Sequence, residues 1–586
     1  MNILSRIDSP KDIKALGKEE LVMLSNEVRD AIIHKVSVVG GHVGSNLGIV
    51  EMSVALHYVF DSPKDKIVFD VSHQCYAHKI LTGRKEAFLD ELKYTSVTGF
   101  TNPKESEHDI FAIGHTSTSV SLACGLAKAR DVTHQKESIV AVIGDGSLSG
   151  GEAFEGLNNA AELTSNLIII VNDNDMSIAE NHGGIYQNLK LLRDSEGEAS
   201  NNLFKAIGLD YYFVKDGHNL EELISMFQKV KELNHPVVVH VCTEKGKGLS
   251  FAQEEKEKWH YRAPFDKVSG QLKQTTSQET YAQITTKYLN DKMQQDESLV
   301  VISAATPTIG GYDEKLRSNL QQYTDVGIAE AHAIAYASGI CRNGGKAVLS
   351  INSSFVQRAY DQISQDMALN NTSGVILVFN GGIQRADQTH LGIFDIPLIS
   401  NIPNIEYLAP TNKEEYLAML DWAVDQNECP IAIRVPLKNV VSKSDVSYSS
   451  LDEIKKYQTI VEGKEVAILA LGGFFQHGEN VCASLKEKYN IEATLINPQS
   501  ITTLDQPTLD ALKKNHQIVV TLEDGCLAGG FGEKIARYYG PSEMKVINFG
   551  AKKEFYDRTP IEELYARNHL SVDAIVNDIY KVYTQE

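Results

Sequence analysis

The sequence lacks closely spaced cysteines: its seven, from Cys75 to Cys526, lie far apart with no CxxC pair. That excludes a disulfide scaffold and a thiolate zinc site, and predicts reduced thiols. Cys75 and Cys526 have no base beside them in sequence and are expected to be inert. No apolar run approaches the roughly 18 residues of a membrane span. The opening MNILSRIDSPKDIKAL carries charges where a signal peptide would need an apolar core. Export and membrane insertion are therefore not expected, and a cytoplasmic setting is. Positive charge is also scarce, with 56 Lys and Arg against 77 Asp and Glu, a formal net charge of −21, and no basic run. Nucleic acid and anionic membrane are not the expected partners of such a chain. No short-period repeat occurs, although three successive segments of similar texture would fit an old duplication.

What is present is ordinary globular material. Hydrophobic residues make up 42% and charged residues 23% of 586, enough for several cores and too apolar for disorder. The length suggests three to four domains of about 150 residues. Apolar runs bounded by Gly, Asp or Asn recur as KIVFDVS, SIVAVIGDG, NLIIIVND, HPVVVHVC, SLVVISAA, KAVLSINSS, GVILVFNGG, EVAILALGG, EATLINPQ and QIVVTLEDG. These ten predict buried parallel strands. Helical patterns such as EAFEGLNNAAEL and NLEELISMFQKVKEL alternate with them, so the expected fold class is α/β, built of open, doubly wound sheets. Apolar periodicity lapses from about Glu254 to Tyr281 and from about Lys438 to Glu462. Read as linkers, these give three domains: 1–280, 281–445 and 460–586.

One pair of strand ends carries chemistry. SIVAVIGDG ends in Gly144-Asp145-Gly146, and NLIIIVND runs into Asn172-Asp173-Asn174-Asp175. Oxygen ligands at the carboxyl ends of two strands converge in the crevice where α/β sheets bind ligands. Glycines there allow a diphosphate to approach the backbone, and Mg²⁺ favours hard carboxylate, amide and phosphate oxygens. GDG alone is a common strand-to-turn sequence, so the rest of the chain must decide.

The spacing GDG, then 27 residues, then Asn resembles the thiamine diphosphate motif of the transketolase superfamily. Within it, GGHVGSNLG (40–48), DVSHQCYAHKILTGR (70–84), GHTSTS (114–119), NDNDMSI (172–178), IAEAHA (328–333), SFVQRAYDQ (354–362) and DQTHLGIFD (387–395) resemble, in that order, the 1-deoxy-D-xylulose-5-phosphate synthase family. The resemblance implies three doubly wound domains of the transketolase type: diphosphate-binding, pyrimidine-binding and C-terminal. It also implies a homodimer with the site between the first two domains of one chain. Asp145, Asn174 and the Met176 carbonyl would ligate Mg²⁺. His73, Gly114, His115, Thr116, Gly144, Gly146, Ser147 and Ile178 would line the thiamine diphosphate site. Glu330 would face N1′ of the aminopyrimidine, Phe355 would stack on that ring, and Arg358 would adjoin it. His42, His260, His390 and Asp387 would serve the repeated proton transfers, for which imidazole is suited near neutral pH. Any single histidine could equally be structural, and His78 and His182 are weaker candidates. In the family, pyruvate is decarboxylated and its two-carbon unit joined to the aldehyde of glyceraldehyde 3-phosphate.

Departures from the pattern concern the acceptor. Where the family holds the acceptor phosphate with a Tyr and two Arg, this chain has Asn352, Asn380 and Leu437, given an ungapped alignment up to Asp387 and one deletion before Gln388. Loss of two charge-assisted contacts weakens binding by roughly a thousandfold. Arg385 and Lys438 are the nearby cations available to compensate. The stretch from His182 to Asn202 is also short by about thirty residues against the family, and IAEAHA lacks the family's Gln before its His. Three functions compete: the family's carboligase; a relative with an unphosphorylated acceptor or transketolase-type ketol transfer; and a non-catalytic cofactor-binding regulator. The intact Glu330 disfavours the last. The Gly-rich turn in LEDGCLAGGFGEK (522–534) is expected to be a packed helix entry without a catalytic role.

Overall fold

The structure is a computed structural model that describes residues 2–274, 278–437 and 439–584. The chain divides into two compact units, one of Met1–Thr276 with Gly327–Ala329, the other of Ser277–Val326 with Glu330–Glu586.

The strands of the first unit are β1 (Gly41–His42), β2 (Lys66–Phe69), β3 (Ile139–Gly144), β4 (Leu167–Asp173), β5 (Asp210–Val214), β6 (Pro236–Cys242) and β7 (Tyr261–Arg262). Five form one parallel sheet in the order β2-β3-β4-β6-β5. Ile, Val and Leu dominate β3 and β4 because helices cover both faces, leaving every residue of β4 buried. Helix Leu220–Lys231 shows how the sequence makes such a cover. Asn219 caps it by accepting the N–H groups of Glu221 and Glu222, and Leu220, Leu223, Phe227 and Val230 form its buried stripe. Each such side chain contributes about 1.5–3 kcal/mol on burial, and the cap about 1 kcal/mol.

The second unit contains two sheets. Strands β8 (Leu299–Ser303), β9 (Tyr323–Asp325), β10 (Lys346–Asn352), β11 (Val375–Phe379), β12 (Glu406–Leu408) and β13 (Ile431–Arg434) form a parallel sheet ordered β12-β13-β11-β10-β8-β9. Strands β14 (Gln458–Val461), β15 (Glu465–Ala470), β16 (Thr494–Asn497), β17 (His516–Cys526) and β18 (Lys545–Ala551) form another, ordered β14-β16-β15-β17-β18. Only β14 in that sheet runs antiparallel to its neighbour.

All ten apolar runs read from the sequence contain strands, and the α/β class with parallel sheets is what the chain adopts. The stretch 438–462, read as a linker, instead ends in β14, which pairs with β16. Likewise, the stretch from Glu254 contains β7, paired antiparallel with β1. Both strands are short and largely exposed, so no apolar run marks them. Lys438 lies outside the described residues. All seven cysteines are free thiols, and burial pushes the thiol of Cys75 up to about 12 and raises that of Cys526. No helix among the described residues is long and apolar enough to cross a membrane.

Candidate active site

In the first unit, β3 and β4 are hydrogen-bonded neighbours with Gly144 opposite Asn172, so the turns that follow them are adjacent. Asp145, only 1% exposed, accepts the Met176 N–H at 3.0 Å and the Asn181 Nδ2 at 2.7 Å on one carboxylate oxygen. The Asn174 Oδ1 is buried with no hydrogen-bond partner. Burial, then the charge of Asp173, pushes the Asp145 carboxyl above the usual carboxylate range. A buried carboxylate beside an unmatched amide oxygen is the donor set a hard cation fits. A Cβ on Gly146 would lie 2.9 Å from Ser177 Cβ and Oγ, whereas Gly144 has open space around the same position. Only Gly146 is thus sterically required. Among the described residues no cluster of three His, Cys, Asp or Glu side chains forms a metal site, so an ion here would depend on amide, carbonyl and external oxygens.

The 114–119 turn approaches the same strand ends. Buried Asp70 accepts the N–H groups of Ser117 and Ser119 at 2.8 and 3.0 Å, and Ser117 Oγ donates to the Ser147 carbonyl at 2.8 Å. Gly114 is buried, and His115 and Thr116 are half-buried on this turn; Ile178 is half-buried after the second strand end.

Pairing of β1 with β7, His42 opposite Tyr261, collects three of the predicted histidines. Ring centroids of His42 and His73 are 5.1 Å apart, His73 and His260 5.2 Å, and His42 and His260 5.6 Å. Asn46, which the motif reading passed over, ties two of them together by donating from Nδ2 to the carbonyls of His42 at 2.9 Å and His73 at 2.7 Å. Burial and neighbouring positive charge hold His42 and His260 well below the usual imidazole range; both rings are therefore neutral at pH 7. The His260 Nδ1 is buried without a hydrogen-bond partner.

Lys245 was also missed. Only 2% exposed, it passes within 3.0 Å of where a Gly44 Cβ would sit and donates from Nζ to the Ser177 carbonyl. Desolvation lowers it to about 8. Its only sequence signal was the charge in TEKGKG, indistinguishable from a solvated loop lysine. The short stretch after His182 folds as helix Gly184–Asp194, whose Tyr186 hydroxyl donates to the Gly146 carbonyl at 3.1 Å. Arg193 of that helix pairs with Asp173 and Asp175 at 2.7 Å. His78, by contrast, is fully buried between His57 and Asp109, at 2.9 Å from each, in a network that holds the fold. His182 is half-buried, 3.5 Å from Glu180.

In the second unit, Glu330 opens helix Glu330–Arg342 and is 7% exposed. Desolvation raises its carboxyl, opposed by the charge of Arg358. Phe355 meets the His390 ring edge-on at 5.7 Å, and His390 N–H donates to the Asp387 carbonyl at 2.9 Å in a turn. Asn352 spends its Oδ1 on the N–H and hydroxyl of Ser354 at 3.0 and 3.1 Å. Asn380 takes a left-handed backbone, φ 59°, and Leu437 lies against the Gly382 position beside Asp524. None of the three is a cation. Exposed Arg385 donates from Nε to the Arg558 carbonyl at 3.2 Å. In the third sheet, Glu523 fills the helix entry itself, accepting the N–H groups of Phe531 and Gly532 at 3.0 and 2.8 Å. A phosphate has no free amides there.

A family model described as 1-deoxy-D-xylulose-5-phosphate synthase matches residues 4–200 and 195–243. Models for the pyrimidine binding domain and the C-terminal domain of transketolase match residues 277–442 and 455–575. The chain is 38% identical over 618 residues to the 1-deoxy-D-xylulose-5-phosphate synthase of Clostridium acetobutylicum, covering 99% of each. It is 37% identical over 626 residues to that of Clostridium tetani, covering 99% of this chain and 100% of the relative. Among solved structures, transketolase from Campylobacter jejuni aligns over 97% of this chain and 100% of its own at 16% identity, with a TM-score of 0.45.

Proposed function

This chain belongs to the 1-deoxy-D-xylulose-5-phosphate synthase family, and from that premise we propose that it is a thiamine diphosphate-dependent carboligase, decarboxylating pyruvate and joining the two-carbon unit to glyceraldehyde 3-phosphate or a related aldehyde. We take residues 1–280, 281–445 and 460–586 as its diphosphate-binding, pyrimidine-binding and C-terminal domains, and a cytoplasmic homodimer as its working form. The observation that carries the cofactor assignment is the unmatched Asn174 Oδ1 beside buried Asp145. Those two oxygens and the Met176 carbonyl would hold Mg²⁺, and the open space at Gly144 leaves room for a diphosphate.

Thiamine diphosphate supplies, when bound, the nucleophilic carbon and electron sink that loss of CO₂ from pyruvate requires. The protein's part is to hold protons and exclude water. Glu330, raised by burial, shares a proton with a ring nitrogen better than an exposed carboxylate would. His42 and His260, kept neutral, each offer an unprotonated ring nitrogen that can accept a hydrogen bond from a substrate hydroxyl and so orient it. We assign proton transfer to His390 and Asp387 as well, an imidazole and a carboxylate, and to Phe355 the apolar face for a pyrimidine ring.

A second version of the acceptor rests on Asn352, Asn380 and Leu437: with no cation at these positions, an unphosphorylated aldehyde or sugar fits as well as a phosphorylated one. The experiment that separates them is CO₂ release from pyruvate with thiamine diphosphate and Mg²⁺, using glyceraldehyde 3-phosphate or unphosphorylated glyceraldehyde. A preference for the phosphate of about a hundredfold, worth about 2.7 kcal/mol, supports the family's acceptor. Consumption of pyruvate without that preference supports the second version. No cofactor binding in the presence of Mg²⁺ overturns both.

A further inference from the structure

Residues 383–391 form a loop closed at its neck by an antiparallel bridge between Gly382 and Gly392, the Gly382 N–H donating to the Gly392 carbonyl at 2.7 Å. Neither neck position tolerates a side chain: a Cβ on Gly392 would lie 2.1 Å from the Asn380 carbonyl oxygen, and one on Gly382 2.6 Å from an Asp524 oxygen. The neck fixes where the loop emerges. It does not fix the tip, which carries Asp387 and His390 and contains no regular secondary structure.

The tip is held from another part of the same unit, the segment between β18 and helix Ile561–Arg567. Arg558 N–H donates to the Ala386 carbonyl at 2.7 Å, and the Arg558 carbonyl accepts Arg385 Nε at 3.2 Å. The Gln388 N–H donates to Asp557 Oδ1 at 3.1 Å. The guanidinium of Arg558 lies 3.8 Å from Asp387 and 3.3 Å from Asp557, shared between an acid of the loop and an acid of its own segment. Arg558 makes these contacts from a left-handed backbone, φ 47°, which a residue with a side chain adopts only when its surroundings impose it. That conformation turns both its N–H and its carbonyl onto the loop.

We propose that Arg558 is a positioning residue for the reaction, fastening the loop so that Asp387 and His390 keep one geometry. The C-terminal segment therefore serves turnover through its grip on the loop, without touching substrate. This rests on the assignment of Asp387 and His390 to the active site. Because His390 N–H is bonded to the Asp387 carbonyl, the two move together when the grip is lost.

The test uses the full chain and two readouts. Arg558→Pro removes the N–H and forbids a positive φ; Arg558→Gly keeps the backbone and removes the guanidinium; Arg558→Lys restores charge without the fork. Expected is a fall in kcat of about tenfold to a hundredfold for Arg558→Pro, as an ångström-scale misplacement produces. Arg558→Gly is expected to lose less, and Arg558→Lys to recover part of that loss, with thiamine diphosphate affinity unchanged. Amide hydrogen exchange should quicken at 385–390 in Arg558→Gly and stay as it was in the sheets. Wild-type kcat and exchange in Arg558→Gly and Arg558→Pro, while Asp387→Asn and His390→Ala lose turnover, overturn the proposal alone. Full turnover in Asp387→Asn and His390→Ala overturns the site assignment and the proposal with it. Should Arg558→Pro fail to fold, the glycine variant's exchange and kcat decide.

Discussion

The two units bury opposite kinds of titratable group. In the first, five histidines are pushed down by desolvation: His42, His57 and His260 far, His78 less, and His108 to about 4. In the second, the clearest cases are carboxyls pushed up by desolvation, Glu330 and Glu523, the latter to about 7, beside the buried Arg434 and its two aspartates. Desolvation is the same force in both, yet it acts oppositely because it favours the neutral form, which is the deprotonated imidazole and the protonated carboxyl. A folded histidine below its unfolded value near 6.5 keeps its stability above that pH and loses it as pH falls towards the folded value. A folded Glu above its unfolded value near 4.3 is fully stabilising below that pH and loses its contribution as pH rises through the folded value. Asp70 and Asp145, in the first unit, share the carboxyl sign, and His516, in the second, the histidine sign.

The strongest way to break the comparison is to ask whether the units fail differently. Glu330→Gln should lower turnover by about 10²–10⁴-fold while cofactor affinity is retained, whereas Asp145→Ala should abolish retention of Mg²⁺ and cofactor. Titration calorimetry together with CO₂ release distinguishes them; equal loss of binding in both would remove the division of labour. Next in size is Arg434. It donates from Nε to Asp395 at 2.6 Å and pairs with Asp524, and Tyr407 also donates to Asp395 at 2.6 Å. Arg434→Met leaves two buried carboxylates unmatched and should cost about 3–5 kcal/mol in urea unfolding.

Acidification sharpens the contrast further. Between pH 6.5 and 5 the unfolded chain takes up protons that the five histidines refuse, so stability falls by up to about 1.4 kcal/mol per pH unit for each. His57→Gln should flatten the dependence of the thermal midpoint in that range, and an unchanged slope would show that His57 does not contribute. The smallest effect is expected from Lys245→Met. Removing a cation that disfavours the protonated rings of His42 and His260 should move the acid limb of the pH–turnover profile to higher pH, and an unmoved limb would show that Lys245 does not act on them.

Much of the fold was legible because buried parallel strands announce themselves. Central strands such as β3, β4, β11 and β15 are continuous apolar runs, covered on both faces. Most edges were not: among the strands at the margins of the three larger sheets β2 carries an apolar run, whereas β9 and β12 are only three residues long and β5, β14 and β18 are partly exposed. β13, IAIR, is interior but only four residues long and ends in Arg434, so its run fell below notice. The same limit hid Lys245 and Asn46. A lysine in a glycine-bounded loop and an asparagine inside a helix have no local signature of burial.

The sequence by itself determined the class of fold, the order of the family motifs, and the adjacency of Asp145 and Asn174, because strand ends and the residues just beyond them are fixed by local pattern and parallel pairing. Tertiary structure alone decided which histidines meet. His42 and His260 come together only through the two-residue ribbon β1–β7, and their neutrality needs burial by elements far away in the chain. It also decided that Tyr186 and Arg193 close on the strand ends, that Glu523 occupies the helix entry at Phe531 and Gly532, and that Arg558 grips the Asp387 loop. Desolvation and hydrogen-bond geometry are properties of the surroundings in space, and a linear pattern carries them only where neighbours in sequence are also neighbours in the fold.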